Sequence, residues 1–280
     1  MSAAPPLPWL STRDLFSEFS YGFALTNELV VVSQPPIVSA PVFPSLIKEG
    51  GKGGGYDVAL DRPGKPLFLQ FKLSQWIQRR NATEARLGEM DPPLYRMHLR
   101  TRKKSQQHAL LLDLEAAGLG EVFYCAPAFA TVGELNQRYQ DGLVEAESRF
   151  VTPSSLPPIT DDDDHWLSFK ASRSGPTRFY SEQSIPLELD STPVADRLAK
   201  ALRSLPPTSK LSDYVERLAV WFDRMGLARE RIQASLPEET KGHAQERSVE
   251  LTAMEKVAIS AHTLLNCSFC VIQQRSPAEA

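Results

Sequence analysis

Apolar and polar positions follow different periods along this chain, and the period changes mark its elements. In residues 11–32, Leu15, Phe19 and Phe23 recur at helical spacing behind Ser11 and Asp14, a capping-box-like start. This predicts a long first helix. Tyr56 to Leu60 and Leu67 to Leu73 are short apolar runs bounded by Gly and Pro, which predicts two strands. Between them stands Arg62-Pro63-Gly64-Lys65. Pro presets φ and Gly supplies positive φ, so a type II turn is expected, or a longer or bulged loop, since hairpins favour primed turns.

Downstream, "LYRMHLR" alternates in the strand manner, with Tyr95, Met97 and Leu99 on one face and Arg96, His98 and Arg100 on the other. "KSQQHALLLDLEAAG" reads as an amphipathic helix closed by Gly118. "EVFYCAPAF" is almost wholly apolar, the pattern of a strand buried on both faces. Strand, helix, strand predicts a crossover unit beside the hairpin. Residues 75–90 are polar with a weak helical pattern, 132–144 form a short helix, and Trp166–Phe169 and 176–189 are extended. From Pro193 the pattern turns helical, with the last helix near 249–273. The expected organisation is an α/β core over 1–190 and a helical region over 191–280.

Composition narrows the class. The chain has 280 residues, 42% hydrophobic and 23% charged, ordinary for a globular protein. No apolar run is long enough to span a membrane. "MSAAPPLPWLS" lacks the basic-then-apolar order of a secretory signal, so the cytoplasm is the expected location. Three cysteines make no disulfide framework. Cys267 and Cys270 form a CxxC that needs two further ligands for a zinc site, with only His262 nearby, and they read as small core residues. Asp161 to Asp164 read as a solvated turn.

Net charge is −3, yet Lys72 to His108 carries nine Lys or Arg against three acids, a net of +6. A nucleic acid needs such a local patch, although a solvated face looks the same. His98 and His108 lie within it and read as surface or capping groups, although either could contact phosphate or act as an acid. The glycine cluster from Gly50 to Gly55 could let backbone approach a phosphate, but no Lys-Ser/Thr follows at Walker spacing.

With Pro63 and Gly64 at the tip, Leu60 faces Leu67, Val58 faces Leu69 and Asp57 faces Gln70. The two-residue period puts Phe68, Gln70 and Lys72 on one face. Asp57, Gln70 and Lys72 then converge. Two oxygen ligands and an ammonium suit Mg²⁺, which acidifies water and stabilises charge on a phosphoryl oxygen. Hydrolysis of a phosphodiester is the matching reaction. The plain alternative is a hairpin with Asp57 and Lys72 paired on its solvated face.

An acid on one strand followed by Gln70-Phe71-Lys72 on the next resembles the PD-(D/E)XK nuclease superfamily, and the Gln variant is most similar to its Mrr-type branch of restriction and defence nucleases. The resemblance covers residues 11–130. It implies a restriction-endonuclease-like mixed sheet flanked by helices, and a Mg²⁺- or Mn²⁺-dependent DNA endonuclease. By the same resemblance Asp57 and Gln70 bind the metal and Lys72 assists the attacking water. A Glu from the first helix often completes the site: Glu18 is the leading candidate, with Glu28 and the loop residue Glu49 as alternatives. Arg96, Arg100, Arg102, Lys103 and Lys104 would track the DNA backbone, in a homodimer or a larger complex. The neutral Gln70 departs from the acidic form, which keeps a non-cleaving binding or scaffold subunit as the rival reading.

Overall fold

The computed structural model describes residues 15–32, 62–100, 106–206, 208–225 and 252–273. Within them the chain is mixed α/β, with two sheets and seven helices. The strands are β1 (Gly64–Phe71), β2 (Ser74–Ile77), β3 (Leu94–Leu99), β4 (Glu121–Pro127), β5 (Ser148–Val151), β6 (His165–Phe169), β7 (Thr177–Tyr180), β8 (Ser184–Leu187) and β9 (Ser268–Gln273). The helices are α1 (Glu18–Val32), α2 (Thr83–Arg86), α3 (Gln107–Ala116), α4 (Val132–Asp141), α5 (Val194–Arg203), α6 (Leu211–Arg224) and α7 (Ala253–Leu265).

A mixed sheet has the order β5-β4-β1-β9 and an antiparallel sheet the order β2-β3-β6-β7-β8. Contacts divide the chain into two units, one of Met1–Glu28, Phe71–Ser105 and Tyr124–Pro193, the other of Leu29–Gln70, Gln106–Phe123 and Val194–Ala280.

The first unit holds the antiparallel sheet. Its two faces follow from alternation along the strands. Tyr95, Met97, Leu99, Leu167, Phe169 and Phe179 form a buried apolar face. The opposite face presents Arg96, His98, Trp166, Ser168, Arg178 and Tyr180, and the polar groups there are closed by α2 and the loop behind it. Glu84 is fully buried on that side. It accepts two bonds from Arg96 (3.0 and 2.7 Å), one from Trp166 Nε1 (3.1 Å) and one from Ser168 Oγ (2.5 Å). A buried carboxylate is tolerable only with such partners.

Helix α1 joins this unit through aromatic packing. The Tyr21 ring meets Phe71 edge-on at 5.8 Å and Phe129 at 6.1 Å, and the Tyr21 hydroxyl donates to Ser148 Oγ at 2.8 Å. Leu15, Phe19 and Phe23, the expected core stripe, are instead 78%, 71% and 61% exposed. The buried side carries Tyr21, Ala24 and Leu25. The helix is apolar on more than one side, so periodicity alone selects no face.

The second unit contains the β1–β9 ladder, running from Gly64 opposite Gln273 to Leu69 opposite Ser268. Gly120, just before β4, lies against Pro66 and Phe68 of β1. Helices α5 and α7 pack on β9.

Four expectations are corrected here. Gly64 does not turn with positive φ; it is the first residue of β1 and pairs with Gln273. The last helix stops at Leu265 because Asn266 adopts the left-handed conformation at φ 50, and the β-branched and aromatic run that follows is β9. β3, α3 and β4 form no crossover within one sheet, since β3 belongs to the antiparallel sheet and β4 to the mixed one. Residues 75–77, read as part of the weakly helical stretch 75–90, belong to strand β2. The first arm of the expected hairpin, Tyr56 to Leu60, lies outside the described residues. No helix among the described residues is long and apolar enough to cross a membrane.

Burial alone would raise the Glu84 pKa, but the hydrogen bonds from Arg96 and Ser168 outweigh it and hold it below the usual carboxylate range. A depressed folded-state pKa contributes stability above the unfolded value and loses it as pH falls through the folded one. Glu84→Ala is therefore expected to lower the unfolding free energy at pH 7 by about 3–5 kcal/mol. In urea titrations the gap to wild type should narrow below the unfolded carboxylate pKa of about 4.3. A gap independent of pH would refute this account of Glu84.

Candidate active site

The site begins with how closely α1 can approach the strand end. A Cβ on Gly22 would meet the Phe71 ring at 2.6 Å, so glycine is what lets the helix sit on Phe71. Glu18 is four residues before Gly22 and therefore shares its helix face. One turn out from that contact, Glu18 reaches the space beside Lys72 and Leu73, which follow Phe71 directly. The Lys72 backbone is pinned by its N–H, which donates to Cys125 O at 2.9 Å, and its side chain is buried.

The result is an open cleft of about 310 Å³ within the first unit, lined by Glu18, Lys72, Leu73, His98, Leu99, Arg100 and Asp164. β3 supplies His98 from its polar face, and Arg100 follows directly on its last residue, Leu99. Asp164 stands just before β6, whose His165 pairs with Leu99. The acidic run is anchored at its start, because Asp161 Oδ1 lies 2.8 Å from Nε2 of the buried His165.

The cleft holds carboxylates at Glu18 and Asp164, cations at Lys72 and Arg100, and an imidazole at His98. His98 Nε2 lies 3.3 Å from Gln75 Oε1, and its ring leans on Trp166 with centroids 6.3 Å apart. Burial, then the Arg96 guanidinium, pushes the His98 pKa below the ordinary imidazole value, with Asp164 and Glu84 opposing. Such a set can bind a phosphodiester through its cations and move a proton through its imidazole.

Two residues expected at the site meet here, Glu18 and Lys72. Gln70 belongs to the second unit and is fully buried there. Its Oε1 accepts from Gln107 Nε2 at 2.5 Å and from Cys267 Sγ at 3.7 Å, while Gln107 also donates to Leu265 O at 2.6 Å. Glu28 caps backbone: its carboxylate accepts from Val144 and Glu145 N–H at 2.8 and 3.1 Å, and burial raises its pKa. Arg100 lines the cleft, whereas the Arg96 guanidinium grips Glu84 in bidentate fashion and lies over the Trp166 ring at 5.1 Å. Asp57, Glu49, Arg102, Lys103 and Lys104 lie outside the described residues.

Among the described residues no group of three His, Cys, Asp or Glu side chains could hold a metal ion. Cys267 and Cys270 are both buried, and burial pushes the Cys270 thiol up to about 12, as for inert core cysteines. His98 and Asp164 were not singled out by sequence for this cleft. The signal for His98 was its place on the polar face between Arg96 and Arg100; Asp164 looked like one of four equivalent acids.

No protein-family model, no curated protein and no solved structure matches this chain.

The Gln70–Gln107 contact makes a checkable statement about Gln70. Gln107→Leu is expected to cost about 1–3 kcal/mol in denaturant unfolding, because buried acceptors lose their donor. In a double-mutant cycle with Gln70→Leu the coupling should exceed about 0.5 kcal/mol. Independent, additive effects would show that Gln70 does not depend on Gln107.

Proposed function

We propose that this chain is a metal-dependent nuclease that hydrolyses phosphodiester bonds of DNA, acting in the cytoplasm in restriction or antiviral defence. The observation that supports it most is the meeting of Glu18, from the opening helix, with Lys72, from the Gln-x-Lys strand, in one cleft that also carries Arg100. This is the pairing that the resemblance to PD-(D/E)XK nucleases calls for. Asp57 and Glu18 would hold Mg²⁺ or Mn²⁺, which when bound supplies acidification of water and charge stabilisation at the phosphoryl group. Lys72 would orient the attacking water and offset charge on the phosphate, while Arg100 would grip a neighbouring phosphate.

A second reading has its own support. The Gln70 oxygen already accepts from Gln107 and Cys267, so it serves the interior of its own unit. That favours a nuclease-like subunit that binds nucleic acid or protein within a larger complex and does not cleave.

Plasmid cleavage with Mg²⁺ or Mn²⁺, with and without chelator, separates the two. Wild type should nick DNA, and Lys72→Ala and Glu18→Gln should each lower the rate by about 10²–10⁴-fold, the range of a positioned polar group in proton transfer. Cleavage undisturbed by Lys72→Ala would discard the site. Absence of cleavage with either ion would favour the binding subunit.

A further inference from the structure

We propose that His98 is the base that takes the proton from the attacking water in this cleft, a role that rests on the nuclease reading above. Among the described residues the cleft carries His98 together with the carboxylates of Glu18 and Asp164. His98 is the group in the cleft built to accept a proton. It projects from the polar face of β3 beside Lys72, and its ring is steadied by Trp166. With Gln75 Oε1 as acceptor, Nε2 carries the hydrogen and Nδ1 keeps its lone pair.

The charged surroundings favour the neutral ring. Partial desolvation of the half-exposed ring disfavours an imidazolium first, and Arg96 on the same strand repels it next, against the opposing pull of Asp164 and Glu84. Lys72 and Arg100 line the same cleft as cations, and Glu18 as an acid. In the step itself, the water oxygen forms a bond to phosphorus as its proton passes to Nδ1. The bond from phosphorus to the leaving ester oxygen breaks, and its electron pair stays on that oxygen, which takes a proton from solvent. His98 then releases its proton to bulk water and returns to the neutral form.

The test compares wild type, H98Q and H98N in Mg²⁺-dependent cleavage of a DNA duplex across pH, after matched thermal unfolding; whichever variant folds serves. Expected is a kcat loss of about 10²–10⁴-fold with KM little changed. The wild-type rate should rise with pH with its inflection below the ordinary imidazole pKa of about 6.5, and the variants should lack that rise. Imidazole added to H98G should restore cleavage. Without any metal, in chelator, the His98 imidazole resonance, assigned by its loss in the variants, should shift when a short duplex is added.

A variant that keeps the wild-type rate and pH profile overturns the role of His98 and leaves the nuclease reading intact. An imidazole resonance unmoved by the duplex overturns it as well. A wild-type chain that cleaves nothing with Mg²⁺ or Mn²⁺ overturns both.

Discussion

The contact of α1 with Phe71 is the constraint on which the first unit's chemistry depends. Gly22 removes the one atom that would hold the helix away, and Tyr21 fixes its rotation through two aromatic rings and a hydrogen bond to Ser148. Helical geometry then carries Glu18 past the ring to the residue that follows the end of β1, Lys72. A larger residue at Gly22 would force either the ring or the helix to move, and close-packed interiors resist both. Glu18 and Lys72 thus owe their proximity to a packing contact that neither of them makes.

A similar logic governs the antiparallel sheet. Its apolar face is ordinary core, but its polar face is unusual in being partly buried. Glu84 makes that possible, because one carboxylate accepts from Arg96, Trp166 and Ser168 together. Arg96 is thereby drawn out of the basic surface. Two positions further along the same face, His98 and then Arg100 escape the network and open onto the cleft. The strand's alternation is uniform, while the cover over it is not, so neighbouring residues on one face have different roles.

Gln70 and Lys72 show how two residues on one period can diverge. Both sit where a Gln-x-Lys motif would place them. Gln70 is satisfied by Gln107 and Cys267, partners more than thirty and nearly two hundred residues away. Burying an amide requires such partners, and once they are present the oxygen is committed to them. Lys72 stands at the cleft. The nuclease reading therefore leans on Glu18, Lys72 and Asp57 more than on Gln70, and on His98 for the proton.

What the residues themselves determined is mostly local. The alternation of "LYRMHLR", the apolar run "EVFYCAPAF" and the Gly118 stop in "KSQQHALLLDLEAAG" each describe an element the structure contains, because side-chain period and capping chemistry act over a few residues. The pairing of Glu18 with Lys72 was legible as one candidate among three glutamates. Which side of α1 is buried, that β9 rather than a helix end closes beside β1, that β3 and β4 part into different sheets, and that Arg96 turns inward were not legible. Each depends on a partner far along the chain, and the free energy that chooses among partners is that of burying apolar surface and satisfying polar groups in three dimensions. Short-range periodicity carries no record of that choice.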